Sequence, residues 1–238
     1  MTWTVGVPTY KACSLYKKKY IQGQNRINEL LTFSQNFLSA SAVNFAWLEK
    51  SSHHLWAGGH IGIHQNFLDE YQTKILPQDP LGPDVMVSNS EKVFHLSQLR
   101  HTSVKHGKEL LRPYGFSDEL DLVLHNKDEP VAILTAFSRQ KFTDELQQLQ
   151  PIQKFLELYI ESHPHVKMQA CRRLLKTKYN LTTREIQVAE YILEGASNAD
   201  ISELLNVAVS TIKTHVVRVL SKTATKTRSE FIALLKEW

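Results

Sequence analysis

The last sixty residues carry a hydrophobic pattern of helical period that repeats four times. From Thr182 to Leu193, the residues Ile186, Ala189, Ile192 and Leu193 share one helical face. Thr182 stands three residues before Glu185, the spacing of a capping box, and Gly195 supplies a left-handed stop. A second helix is predicted from its cap, Ser197, with Ile201, Leu204 and Leu205 facing inward. After the connector "NVAV", a third helix places Ile212, Val216, Val219 and Leu220 at i, i+4, i+7 and i+8, one buried face. A fourth begins at a second capping box, Thr227 and Glu230, and lines up Phe231, Leu234 and Leu235. Two short helices joined by a tight turn have the spacing of a helix-turn-helix.

The outward face of the third helix is unlike an ordinary solvated one. It carries Ser210, Lys213, Thr214, Val217 and Ser221, flanked by Thr211, His215, Arg218 and Lys222, and no carboxylate. Surface helices usually mix both signs of charge. A face of cations and short hydroxyl side chains suits a DNA groove, where phosphates repel carboxylates. Lys213 and Thr214 are placed for base edges and Val217 for a thymine methyl. Thr211, His215, Arg218 and Lys222 suit phosphates.

Upstream the pattern changes. Residues 143–162 read as one helix, with Leu146, Leu149, Ile152, Phe155, Leu156 and Tyr159 at three-to-four-residue spacing, ending where Pro164 disfavours helix at His163. "AVNFAWLEK" and "HHLWAGG" alternate as two strands meeting near Ser51 and Ser52. "ELDLVLHNKDEPVAILTAFS" is a hairpin, with Leu120, Leu122 and Leu124 on one strand and Val131, Ile133 and Thr135 on the other. Helices are predicted near 20–39, 65–76 and 104–112. An antiparallel sheet flanked by helices makes an α+β domain over residues 1–163, with a basic linker at 164–177 and an all-α four-helix domain at 178–238.

Charge sharpens this division. Of the net +4, residues 164–238 hold 12 Lys and Arg against 7 Asp and Glu, while the preceding 163 residues hold 16 against 17. The surplus points to an acidic partner for the last third, most simply double-stranded DNA. The two cysteines, Cys13 and Cys171, are far apart, without the spacing of a disulfide framework or zinc finger. With no secretory signal and no apolar run long enough for a bilayer, a reducing cytoplasm is expected and no membrane partner.

The run "LTTREIQVAEYILEGASNADISELLNVAVSTIKTHVVRVLSK", followed by Arg228, resembles the DNA-binding domain of LuxR-type transcription regulators. The resemblance rests on Leu181, Thr182, Arg184, Glu185, Gly195, Ser197, Asn198, Ile201, Thr211, Ile212, Lys213, His215, Lys222 and Arg228. It implies a homodimer that sets its third helix in the major groove of a two-fold operator. Three positions depart from the family pattern. Ala199 replaces a basic residue, Ala208 replaces the hydroxyl residue that caps the recognition helix, and Thr223 replaces a leucine.

The order of segments in residues 1–163 resembles PAS/GAF-like sensor domains, which implies a pocket for a small molecule or a docking partner. Phe45, Trp47, Trp56, Tyr71, Asp79 and Phe137 are the candidate lining residues. Asp79-Pro80 is similar to a pair in acyl-homoserine-lactone receptors of the quorum-sensing type, although Asn66 and Glu70 stand where that family places tryptophan and tyrosine. A phosphoacceptor domain is argued against, because paired acidic residues after an early strand are missing. His53, His54, His60 and His64 cluster, but Gly58, Gly59 and Gly62 break the helix that a His60–His64 metal pair would need. No catalytic constellation, metal site or cofactor is expected, so an enzyme is not. The alternative to a DNA-binding regulator is a protein-interaction module that titrates a homologous regulator.

Overall fold

The computed structural model describes residues 14–49, 54–89, 91–142 and 146–236. They divide into two compact units, with residues 23–161 in one and residues 14–22 and 162–236 in the other. The expected turn at Ser51 and Ser52, and His53 and Cys13, lie outside the described residues.

The first unit is built on a five-stranded antiparallel sheet of order β2-β1-β5-β4-β3. β1 is Ala42–Glu49, β2 His54–Ile61, β3 Val93–His95, β4 Asp118–Asn126 and β5 Glu129–Ser138. The predicted hairpin is the β4–β5 pair, which turns through Lys127 in the left-handed region, φ 60°. Its register decides which side chains share a face. Leu120, Leu122 and Leu124 pair with Ala136, Leu134 and Ala132, and on the opposite face Glu119, Asp121 and Val123 pair with Phe137, Thr135 and Ile133.

Helices cover both faces. The leucine face, which includes Phe45 and Trp47 of β1, packs against α1 (Ser14–Phe37) and α5 (Leu146–Glu161). Ile27, Leu30 and Leu31 of α1, and Leu149, Ile152, Leu156 and Ile160 of α5, are buried there. Fully burying one such side chain stabilises by ~1.5–3 kcal/mol. The other face is covered by α2 (Gln65–Glu70), which continues through a wide turn at Tyr71–Ile75, and by α3 (Pro83–Ser88) and α4 (His101–Leu111). Phe67, Leu68, Ile75, Met86 and Leu111 from these segments join Val123, Ile133 and Phe137 in one core. The α+β expectation holds; α3 and the short edge strand β3 carry too few residues for a readable period.

The second unit is helical throughout: α6 (Pro164–Thr177), α7 (Thr183–Leu193), α8 (Asn198–Leu205), α9 (Val209–Lys222) and α10 (Arg228–Lys236). The basic stretch 164–177, expected as a linker, is a 14-residue helix. Pro164 starts it, since proline at the first helical position gives up an N–H that would be unpaired anyway. His163 is extended at ψ 136°, and its Nδ1 accepts from the His165 N–H at 3.1 Å. Leu175 is fully buried in the core formed by Val188, Ile192, Ile201, Ile212, Val219 and Phe231. Arg172 forks onto the buried Glu190 of α7, with Nη2 donating at 3.1 Å.

The predicted caps form. Thr182 Oγ1 accepts from the Glu185 N–H while Glu185 takes the Thr182 N–H, and Ser197 and Asp200 do the same for α8. Gly195 is left-handed at φ 81°. At α10, Thr227 accepts from the Glu230 N–H, but the Glu230 carboxylate reaches one residue further back, to the Lys226 N–H at 2.7 Å.

Candidate functional site

α9 reads out the sequence pattern directly. Ile212, Val216 and Val219 are buried, and Ser210, Thr211, Lys213, Thr214, Val217, Arg218 and Ser221 are exposed. α8 and α9 meet through a tight turn in which Asn206 adopts the left-handed conformation, φ 49°, and the Val207 N–H donates to the Ser202 carbonyl at 3.0 Å. Arg184 of α7 pins the end of α8 by donating to the Leu205 carbonyl at 3.2 Å. Lys213 and Arg218 have no hydrogen-bond or ion-pair partner among the described residues. Val217 is 65% exposed, more than any other large hydrophobic side chain among those residues. The Thr214 hydroxyl donates back to the Ser210 carbonyl at 3.1 Å, which leaves its oxygen outward as an acceptor.

Two expected phosphate contacts are placed differently. Lys222 Nζ donates to Glu185 Oε2 at 2.8 Å and to the Asn180 carbonyl at 2.9 Å. Burial alone would raise the Glu185 carboxyl; the bond from Lys222 and those from Thr182 hold it below the usual range. Lys222 therefore ties α9 to the start of α7. His215 is half-buried, and its Nδ1 is enclosed without a partner among the described residues. Only its outer edge is available to a phosphate.

The sheet separates five of the six expected pocket residues. Phe45 and Trp47 pack edge-to-face at 4.8 Å on the side covered by α1 and α5. Trp56 pairs with Trp47 in the β2–β1 register, its side chain outside the described residues. Tyr71, Asp79 and Phe137 belong to the opposite side. There the Tyr71 hydroxyl lies 3.5 Å from Asp79 Oδ2, and Asp79 Oδ1 accepts from the Leu81 N–H at 2.8 Å. Burial pushes the Tyr71 phenol up, and Asp79, Glu119 and Asp121 push it further.

Glu119, Asp121 and Thr135 were not among the expected residues, yet they lie against this group. Their signal was present in the hairpin. "VAILTAFS" is apolar at both parities, so both faces of β5 must be covered, and its partner's polar parity is then covered too.

Residues 179–235 match the model of the family described as bacterial regulatory proteins, luxR family. Residues 179–235 form a luxR-family domain. Across a longer span, the chain is 25% identical over 176 residues to the monoamine regulon transcriptional regulator of Klebsiella aerogenes, covering 71% of each protein. Among solved structures it is similar to Escherichia coli SdiA, at 14% identity and a TM-score of 0.45 over 89% of this chain and 88% of that one. It is also similar to a GAF domain/HD domain protein from Geobacter sulfurreducens, at 10% identity and a TM-score of 0.45 over 61% of this chain and 94% of that one.

Within the luxR-family domain, one of the three unusual positions, Thr223, has a local physical account. Ala208 is the N-cap of α9 and makes no side-chain capping bond. Thr223 is 4% exposed where a leucine was anticipated, and its hydroxyl donates to the Val219 carbonyl at 2.9 Å, so burying it leaves no unpaired group. Ala199 is exposed in the first turn of α8. Arg228 is spent on the fold, with Nη1 donating to Asn198 Oδ1 at 2.9 Å and Nη2 to the Ala196 carbonyl.

Proposed function

We propose that this protein is a cytoplasmic transcription regulator that binds two-fold DNA as a homodimer, with α9 in the major groove and the first unit carrying a signal. The observation that carries this is the exposed, carboxylate-free face of α9, whose Lys213 and Arg218 have no partner among the described residues. Lys213 and Thr214 read base edges, Val217 meets a thymine methyl, and Thr211, Arg218 and Ser210 hold phosphates. A lysine-to-guanine contact contributes ~1–3 kcal/mol of discrimination. No helix among the described residues is long and apolar enough to cross a membrane.

A pairing surface is available on the first unit. Phe33 and Phe37 of α1 and Phe155 and Leu158 of α5 are 41%, 54%, 49% and 59% exposed. Phe33 stacks on Phe37 at 5.8 Å and meets Phe155 at 5.3 Å, so the side chains form one patch. Exposed aromatic patches of this kind mark interaction surfaces. Two copies joined there would supply the two recognition helices that a two-fold operator needs. The acyl-homoserine-lactone alternative keeps one supporting observation, the approach of Tyr71 to Asp79.

Selection of full-length protein against random duplexes tests this proposal. Recovery of an inverted repeat with half-sites one turn apart is expected. Recovery of no preferred sequence, together with capture of a homologous regulator, would favour the titrating module.

A further inference from the structure

A row of polar side chains crosses the sheet on the face covered by α2, α3 and α4. His60, Asn44, Thr135 and Asp121 are successive register partners on β2, β1, β5 and β4. His60 is exposed, Asn44 half-buried, Thr135 8% exposed and Asp121 fully buried, so the row runs inward from solvent. Glu119, 3% exposed, shares the face two residues along β4. Tyr71 and Asp79 complete the group from the segment above.

The fold satisfies its other buried carboxylates. Asp118, equally buried, takes bonds from His95 Nε2 at 2.8 Å, Ser97 Oγ at 2.7 Å and the Phe142 N–H at 2.9 Å. Glu157 has Lys92 and Lys154, and Glu185 has Lys222. Asp121 is different. Thr135 Oγ1 donates to its Oδ1 at 2.6 Å, but Oδ2 is enclosed and receives no hydrogen bond. No hydrogen bond reaches the Glu119 carboxylate among the described residues. The charged groups acting on Glu119 are Asp79, Asp121 and Asp118, all carboxylates. Leaving an ion buried without a partner costs several kcal/mol. Burial, and then the neighbouring carboxylates, push the Glu119 carboxyl well up, and burial does the same to Asp121.

Resting on the reading of the first unit as the signal-carrying one, we propose that this row is the binding site of a small primary amine on an aromatic or aliphatic body. Its ammonium is held by Asp121 Oδ2 and Glu119. An ammonium has three donors and no acceptor, which matches the enclosed, unpaired Asp121 Oδ2 and the Glu119 carboxylate beside it. A metal ion fits less well, because no group of three His, Cys, Asp or Glu among the described residues is arranged to hold one. Beside the carboxylates the core is aromatic. Phe137 meets Phe67 at 5.3 Å and Phe116 at 5.1 Å, and Phe67 meets Tyr71 at 5.6 Å. Such rings suit the apolar body and favour a nearby cation.

Calorimetric titration of the full chain with 2-phenylethylamine and with 2-phenylethanol, its neutral analogue, tests the site. The amine should bind and the alcohol should bind at least about tenfold more weakly. Asp121→Asn and Glu119→Gln should each weaken the amine about ten- to hundredfold, the loss expected for a charge-assisted bond, without lowering the melting temperature of the empty protein. Equal binding of amine and alcohol, binding of neither, or amine binding untouched by both substitutions would overturn the proposal. So would an acyl-homoserine lactone that binds better than the amine and ignores Asp121→Asn. Operator binding measured on the same samples keeps the two ideas apart. A chain that binds its operator but no amine loses only the amine site, whereas one that never binds DNA loses the regulatory proposal.

Discussion

Lys222→Met distinguishes a lysine that holds the fold from one that holds a phosphate. Lys222 Nζ sits 2.8 Å from Glu185 Oε2 and 2.9 Å from the Asn180 carbonyl, and Glu185 is 3% exposed. Removing one partner of a fully buried ion pair costs ~3–5 kcal/mol. Here the lysine side chain is 35% exposed and the Thr182 N–H still reaches Glu185 at 2.8 Å, so both water and backbone recover part of the loss. A destabilisation of about 1–2 kcal/mol is therefore expected, the cost of a charge-assisted bond at a half-wet site. Adding Glu185→Gln should cost little more, because the lysine's contact is already gone. The assay is urea denaturation of the full chain followed by far-ultraviolet circular dichroism, beside operator binding over a range of salt. A lower midpoint with an unchanged salt slope is predicted. Unchanged stability with a slope shallower by about one would assign Lys222 to a phosphate and refute the structural role.

Three further outcomes follow from the same geometry. Ala208→Ser supplies the missing N-cap of α9 and should raise stability by about 1 kcal/mol in the same denaturation assay. The carboxyls of Asp121 and Glu119 are raised in the folded state, which therefore binds more protons than the unfolded chain above the ordinary carboxylate range. Their contribution is complete below that range and is lost as pH rises through their raised values, so melting temperature should fall with rising pH and fall less in Asp121→Asn. Phe155→Glu places a charge in the exposed aromatic patch and should shift sedimentation from dimer to monomer.

The C-terminal unit was legible because its information is local. Caps, a left-handed glycine and helical stripes each act within four residues, and Thr182, Ser197, Gly195 and the Ile212–Val219 stripe all stand where their spacing put them. That the stretch expected as a linker is the helix α6 was hidden for a physical reason. Lys167, Arg172, Arg173 and Lys176 dominate its composition, while the apolar side that decides its fate is only Val166, Cys171, Leu174 and Leu175. Lys222 looked like its neighbours on α9 because nothing local reveals a partner 37 residues away. The ligand face suffered most from long range. Phe45 and Phe137 are both buried aromatic strand residues, and only the register of β1 against β5 places them on opposite faces. Asp121 and Glu119 alternate with the leucines of β4, and nothing local reveals that segments from 65–111 cover their face.

The most direct measurement is operator affinity against salt concentration for the wild type and Lys213→Ala. Steep loss of affinity with salt is predicted for the wild type, with a log–log slope that counts phosphate contacts. In Lys213→Ala, discrimination at one base pair of each half-site should fall by ~1–3 kcal/mol while the remaining positions keep theirs. A wild type that binds all sequences equally, or a Lys213→Ala variant with undiminished discrimination, would contradict the placement of α9 in the major groove.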